Sequence, residues 1–363
     1  MEGIKIVYVI TGLGMGGAET QVCNLADEFS KLGNTVTIIY LTGNRVVTPN
    51  DPNINLVPLN MNKSVVSPIK AFIQFVKLIN SIKPDVVHSH MVHANLFTRI
   101  ARIFSTIPLL ISTAHSSNEG GKLRMLVYRL TDKLADITTN VGQESVNAFI
   151  VAKAAPKGRI ISMPNGINTE RFKSGLEAKL SMRATLKVEP QQKLVLAVGR
   201  NDPAKDYPNM LEAISKLPFD LNFKLFIVGL GVEQLQPKVD KLDISDRVIL
   251  LGLRKDVDQL MAAADILLMS SEWEGLPIVI GEAMASECNI VTTDAGGCKE
   301  WLTNAEKPVP IKNPQALSNA LAVKLALSNN ELSAIGKNNR EHIIKHFSLD
   351  GIVAKWQSIY QGG

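Results

Sequence analysis

Lys193-Leu-Val-Leu-Ala-Val-Gly199-Arg200-Asn-Asp-Pro-Ala-Lys205 decides the fold of this chain. An apolar run ends in a glycine, and two cations follow. A run this continuously apolar reads as a strand buried on both faces, the mark of a parallel sheet. The same succession opens the sequence, where the strand Ile4–Ile10 runs into Gly12-Leu-Gly14-Met-Gly16-Gly17. Each is followed by a helical pattern, so one architectural unit begins twice.

Outward from these two starts, short β-branched runs alternate with helices. The first half reads as helix Ala18–Leu32, strand Thr35–Leu41, a helix near Pro68–Ile82, strand Asp85–His88, a helix near Ala94–Phe104 and strand Leu109–Thr113. The second adds a helix near Pro208–Leu217, strands Phe223–Val228 and Arg247–Leu251, helix Val257–Ala264, strand Ile266–Met269, helix Pro277–Ser286, strand Asn289–Thr293 and C-terminal helices. This rhythm predicts two doubly wound, Rossmann-like α/β domains. Met163-Pro-Asn-Gly-Ile167 is the expected hinge, giving domains 1–166 and 167–349. Ligands of such sheets lie beyond the strands' carboxyl ends, so a cleft between facing domains is the expected site.

Composition supports a globular chain and excludes other classes. At about 150 residues per domain, 363 residues make roughly two. With 45% hydrophobic and 20% charged residues, disordered, collagen-like and disulfide-scaffold readings fall away. Three cysteines without a CxxC pair point to a reducing, cytoplasmic compartment and away from structural zinc. Met1-Glu2-Gly3 lacks the basic start of a signal peptide, and no apolar run is long enough to span a bilayer. Residues 1–165 carry 16 Lys and Arg against 10 Asp and Glu, and the remainder 23 against 24. That bias favours an anionic surface, but no nucleic-acid-binding motif accompanies it, so no nucleic-acid partner is expected.

Gly12-Leu-Gly14-Met-Gly16-Gly17 satisfies GxGxxG between strand and helix, where backbone N–H groups approach a diphosphate. A nicotinamide enzyme would place an acid after the second strand. Here that stretch is Leu41-Thr-Gly-Asn-Arg45, without one. Arg45 leaves an NADP-dependent oxidoreductase as the alternative, beside a plain tight turn and a diphosphate-facing loop.

The second half is more specific. Gly199-Arg200 with Lys205, Gly229-Leu-Gly231, Gly252-Leu-Arg254 and Ser270-Ser-Glu-Trp-Glu274-Gly-Leu-Pro277 each follow a strand, and the last enters a helix containing Glu282. Pro277 suits the first helical turn, where no donor is needed. Cations, a helix start and two carboxylates suit an anionic, hydroxyl-rich ligand such as a nucleotide sugar.

These motifs resemble the GT-B-fold retaining glycosyltransferases of family 4 over essentially the whole chain. The most specific element is Glu274-Gly-Leu-Pro-Ile-Val-Ile-Gly-Glu282-Ala-Met-Ala. Gly16-Gly17-Ala18-Glu19, Pro164-Asn165-Gly166-Ile167, and Ala295-Gly296-Gly297 with Glu300 stand beside it in the family's order. The resemblance implies that Arg200 and Lys205 hold the donor diphosphate and stabilise its developing charge. It assigns Glu274 to sugar hydroxyls, Glu282 to the ribose, and the backbone stretch of Gly275, Leu276, Pro277 and Ile278, whose N–H donors exclude the proline, to sugar and phosphate. Gly16 and Gly17 cover the diphosphate, Leu253 and Arg254 border the base, and His115 lies beside the donor sugar. It further implies an α-linkage made with retention, uridine as the usual base, no cofactor, and a C-terminal helix after about Asp350 that returns to the first domain.

Asp256-Val-Asp258 imitates a metal-binding DxD, but it opens a helix, where Asp is a good N-cap. With Arg200 and Lys205 supplying positive charge, no metal is expected. The acceptor belongs to the first half, where His88 and His90 are cleft candidates. There Lys122-Leu-Arg-Met-Leu-Val-Tyr-Arg-Leu-Thr-Asp-Lys133 is basic and amphipathic, with Arg99 and Arg102 adding charge. Such a helix suits an anionic membrane surface, or it packs its apolar face on the core. The expected acceptor is a saccharide on a polyprenyl diphosphate, used in surface-polysaccharide assembly by a peripheral enzyme. A non-catalytic nucleotide-sugar-binding protein is a further alternative.

Overall fold

A computed structural model describes residues 3–362 apart from 65, 118 and 305; Met1 and Glu2, part of the N-terminal reading above, lie outside the described residues. Two compact units emerge. One comprises Met1–Gly166 with Leu349–Gly363, the other Ile167–Ser348.

The first unit is built on seven strands: β1 (Lys5–Ile10), β2 (Thr35–Tyr40), β3 (Asn55–Pro58), β4 (Val86–His90), β5 (Leu109–Ala114), β6 (Ile137–Asn140) and β7 (Ile160–Ser162). Their order is β3-β2-β1-β4-β5-β6-β7, with every pairing parallel. Both faces are covered, so β1 and β2 each bury five of their six residues. Sequence reading missed β3, β6 and β7. They are three or four residues long, and β6 is Ile-Thr-Thr-Asn. Their conformation comes from a neighbouring ladder rather than from local propensity. β4 also extends two residues past the expected end at His88, which sets Ile10 beside His90 and His90 beside Thr113.

Helix Gly17–Lys31 and the C-terminal helix Leu349–Tyr360 pack on one face of this sheet. Leu349, Ile352, Val353, Trp356 and Tyr360 recur at helical spacing and are all buried there. A Cβ on Gly166 would stand 2.8 Å from Leu349 Cα, so glycine lets the returning helix approach. Helices Val66–Ile82 and Val92–Ala101 cover the other face, and Lys122–Thr131 packs beside Val92–Ala101.

The second unit has five strands: β8 (Lys193–Val198), β9 (Phe223–Val228), β10 (Val248–Gly252), β11 (Ile266–Met269) and β12 (Asn289–Thr292). The order β10-β9-β8-β11-β12, all parallel, reverses direction between β8 and β11. This switch point lies where the loops carrying Lys205 and Glu274 leave the sheet. Gly229, at φ +156°, passes so close to Gly199 that a Cβ would lie 1.9 Å from its carbonyl oxygen. Ile167 and Ser348, the unit's first and last residues, pair as an isolated parallel bridge.

The fully packed indole of Trp356 anchors the C-terminal helix. Trp356→Ala should destabilise the first unit by about 3–5 kcal/mol. Lys355→Ala, at an exposed neighbour, should change stability by less than about 0.5 kcal/mol. Urea unfolding followed by circular dichroism checks both.

Candidate active site

In the second unit, Lys205 Nζ donates to Glu274 Oε1 at 2.6 Å, and Ser271 Oγ donates to the same oxygen at 2.7 Å. The pair is largely buried on both sides. Its two loops are tied together below the side chains. Glu272 N donates to Ala204 O at 2.8 Å, and Ser270 Oγ donates to Lys205 O at 2.8 Å. Tyr207 Oη, donating to Gly199 O at 2.7 Å, closes the turn from which Lys205 rises. Oε2 of Glu274 accepts nothing from a described residue, so the carboxylate has one fixed oxygen and one available.

Gly296 holds Glu274 from beneath. At φ +55° it lies where a Cβ would come within 2.2 Å of Glu274 O, and Gly297 N donates to Gly275 O at 2.8 Å. Leu276 is buried, and Pro277 stands at the N-cap rather than inside the helix, which runs Ile278–Ala285. The start is one residue later than expected because Pro277 has ψ 107°, an extended value.

Glu282 sits in this helix with its carboxyl pushed up to about 7 by burial, eased by Arg171 and aggravated by Asp258. Arg171 itself pairs with Asp258 at 3.6 Å. Arg254 grips Asp256 through both oxygens, at 2.8 and 2.5 Å, while Leu253 beside it is exposed. Asp256 occupies the N-cap position as expected, yet its side chain makes no capping bond; the arginine takes it instead. Each acid of the Asp256-Val-Asp258 imitation therefore has an arginine partner.

Arg200 is separate from this constellation: 66% of its side chain is exposed, and its nearest charge is Asp202 at 3.3 Å. The structure thus joins Lys205 to Glu274 and leaves Arg200 outside that pair. Ser271 and Arg171 were missed by sequence reading. Ser271 lies inside the quoted motif, three residues before Glu274, and that spacing was its only signal.

In the first unit the loop after β1 ends at Gly16, the N-cap of helix Gly17–Lys31. Glu19 folds back beneath it, leaving only 2.6 Å for any Cβ on Gly16. At the same sheet end, His88 is fully buried with both ring nitrogens engaged. Its Nδ1 meets Tyr360 Oη and its Nε2 meets Thr113 Oγ1, each at 2.6 Å. His90 Nδ1 lies 3.1 Å from His115 Nε2. Burial holds all three imidazoles below their usual range, His115 at about 4, so they are neutral at pH 7.

Glu119, also missed, accepts from the backbone N–H of His115 at 2.9 Å and of Ser116 at 3.2 Å. Its signal was Ser116-Ser-Asn-Glu119, whose spacing imitates a capping box.

The basic helix Lys122–Thr131 buries only Met125 and Tyr128. Leu123 and Leu130 are 75% and 73% exposed, and Leu126 is exposed as well. Arg99 adds no charge to this surface, contrary to expectation. Its guanidinium is fully buried and donates to Ser112, Thr131 and Thr138 hydroxyls and to Tyr128 O. Arg102 pairs with Asp136 at 2.7 Å. No helix among the described residues is long and apolar enough to cross a membrane.

Two family models match in succession: "Glycosyltransferase Family 4" over residues 15–171 and "Glycosyl transferases group 1" over 179–342. An Escherichia coli relative, UDP-Gal:alpha-D-GlcNAc-diphosphoundecaprenol alpha-1,3-galactosyltransferase, is 24% identical across 82% of this chain and 81% of its own. A Campylobacter jejuni relative, N-acetylgalactosamine-N,N'-diacetylbacillosaminyl-diphospho-undecaprenol 4-alpha-N-acetylgalactosaminyltransferase, is 24% identical across 94% of this chain and 95% of its own. Among solved structures, Anabaena HepE in complex with UDP and glucose superposes with a TM-score of 0.84 at 19% identity, covering 99% of this chain and 100% of HepE. With one family model on the N-terminal half and the other on the C-terminal half, this chain belongs to the GT-B glycosyltransferases of family 4.

Proposed function

We propose that the enzyme transfers a sugar from a UDP-sugar to a saccharide carried on a polyprenyl diphosphate, with retention and an α-linkage, in surface-polysaccharide assembly. The observation that carries this reading is the Lys205–Glu274–Ser271 cluster at the β8/β11 switch point, with Glu282 on the helix that follows. The names of the two relatives, both of which specify a diphospho-undecaprenol acceptor, support the acceptor class, and the UDP in HepE supports the base. Lys205 has N–H groups left over from its bond to Glu274, and these stabilise the charge that develops on the diphosphate as the sugar departs. Arg200, with 66% of its side chain exposed, reaches the same phosphates. Glu274 offers its available oxygen to sugar hydroxyls, and His115 adds a hydrogen bond to the sugar. The backbone N–H groups of Gly275, Leu276 and Ile278, and the Gly16–Gly17 turn, address phosphate oxygens.

The transition state carries oxocarbenium character, as in glycoside hydrolysis. The acceptor attacks on the face the diphosphate leaves, and the leaving phosphate takes the acceptor's proton. Lys205 supplies cationic charge at the phosphates, so no metal is required. Glu282, as a ribose ligand, must be ionised to accept two hydroxyl donors.

Membrane association belongs to the same reading. The helices on one side of the first unit, with the turn that follows Val92–Ala101, expose Ile69, Ile73, Ile103 and Phe104 besides the three leucines, with Lys70, Lys77, Lys122 and Arg129 also exposed. Apolar side chains among cations suit an anionic lipid surface.

UDP should raise the thermal midpoint, since a ligand of the folded state alone must stabilise it. Glu282→Ala should abolish that shift, whereas a response to NADP alone would overturn the transferase reading. With an active donor, Lys205→Ala should lower turnover on the order of 100-fold or more; proton NMR of the product gives its anomeric configuration, and a β-product rules out retention. Because burial raises Glu282 in the free protein, its neutral form stabilises the fold at low pH, and that contribution is lost as pH rises from about 4.5 through about 7. Glu282→Gln should therefore gain stability relative to the parent above pH 7, and UDP affinity of the parent should fall as pH drops below 7, by at most about tenfold per unit. Calorimetry at pH 6, 7 and 8 reads both. Sedimentation with phosphatidylglycerol vesicles should retain the protein and release it in Leu123→Glu/Leu130→Glu; a parent left in the supernatant excludes the lipid surface.

A further inference from the structure

His90 lies beneath the loop that carries His115, and its environment fixes more than its own position. Its ring stacks 4.1 Å from that of His88, with Tyr8 at 6.0 Å. His88 is itself immobilised by Tyr360 and Thr113 and by the indole of Trp356 at 4.5 Å. Glu119 meanwhile pins the backbone of His115 and Ser116. His115 therefore has a held loop and a held ring edge.

Between His90 Nδ1 and His115 Nε2, 3.1 Å apart, there is room for one proton. Two arrangements satisfy this contact. In one, His115 donates and His90 carries its proton on Nε2. In the other, His90 donates from Nδ1 and His115 carries its proton on Nδ1. His90 Nε2 decides between them, because it is buried with no hydrogen-bond partner among the described residues. An orphaned N–H there is the rarer and costlier state, whereas an unused lone pair is better tolerated. The second arrangement follows, with His115 Nδ1–H unbonded to any described residue.

We propose that His90 is a positioning residue: it locks His115 in the Nδ1–H tautomer, so that the imidazole meets an oxygen of the transferred sugar as a neutral donor rather than as an acceptor. Which nitrogen of a histidine is protonated follows from the bond made by the other. His90 thereby acts on substrate through His115 and is withdrawn from direct acceptor contact. The choice of sugar as the ligand rests on the transferase reading; the tautomer does not.

Long-range proton–nitrogen correlation NMR of the full chain labelled with 15N-histidine tests the tautomer, with His115→Gln providing the assignment. The parent should show His115 protonated at Nδ1. His90→Leu should lose that preference, and His90→Asn, whose amide N–H reaches the Nδ1 position, should keep it. His90→Gln, which places its amide elsewhere, serves as a second polar test of the same loss should the leucine variant fail to fold. Turnover with a UDP-sugar should fall about tenfold in the variants lacking the donor, with KM unchanged, and recover in His90→Asn. A parent protonated at Nε2, or a tautomer indifferent to His90→Leu and His90→Gln, overturns the proposal. So does an altered tautomer with unaltered kcat. If the parent turns over no UDP-sugar while the tautomer behaves as stated, the transferase reading fails and the lock between the two histidines stands.

Discussion

A parallel sheet covered by helices on both faces has little room for reactive groups along its strands, because those side chains are consumed by packing. Chemistry is displaced to the carboxyl ends, where the chain turns from strand to helix and the backbone is free to bend. Both units of this protein obey that constraint. In the second, the loops after β8 and β11 meet where the strand order reverses, bringing Lys205 against Glu274. In the first, the same sheet end gathers the turn after β1, His90 and the loop bearing His115. Glycines make the arrangement possible where backbones touch, as Gly229 does at Gly199 and Gly296 does at Glu274.

The two clusters use burial differently. Lys205 and Glu274 satisfy one another at 2.6 Å in a largely enclosed place, each the other's partner. Among the described residues Glu282 has no such partner at hydrogen-bonding distance, and burial raises its proton affinity to the edge of neutrality. The histidines of the first unit are driven the other way, kept neutral by the same loss of solvent. A neutral imidazole can donate or accept a hydrogen bond without adding charge.

Much of this organisation was legible in the sequence, for identifiable reasons. β1 and β8 are covered on both faces and, after their first lysine, are written as unbroken apolar runs, while β2 and β9 are interrupted only by Thr37 and Lys224. β6 and β7 are short and rich in Thr and Ser, and their pairing is imposed from outside. Motif spacing placed Lys205, Glu274 and Glu282 in one unit, since all three follow strand ends. It gave no view of Arg171, more than a hundred residues before Glu282, or of Arg99, whose position in a basic stretch hides a guanidinium folded among hydroxyls. Glu119 was marked only by its capping-box spacing from Ser116, because its partners are peptide N–H groups.

The return of the C-terminal helix has a consequence for how the chain is made. Tyr360 bonds Tyr8 across 352 residues, so β1 waits for a helix made long after it. On the ribosome, domains fold in the order they emerge. Here the second unit, held within Ile167–Ser348, is a continuous stretch able to fold while the first still lacks Trp356 and Tyr360. His88, and through it His90 and His115, finds its full set of neighbours only after residue 360 has left the exit tunnel. The histidine cluster of the nascent chain thus remains unfinished until the helix Leu349–Tyr360 has emerged.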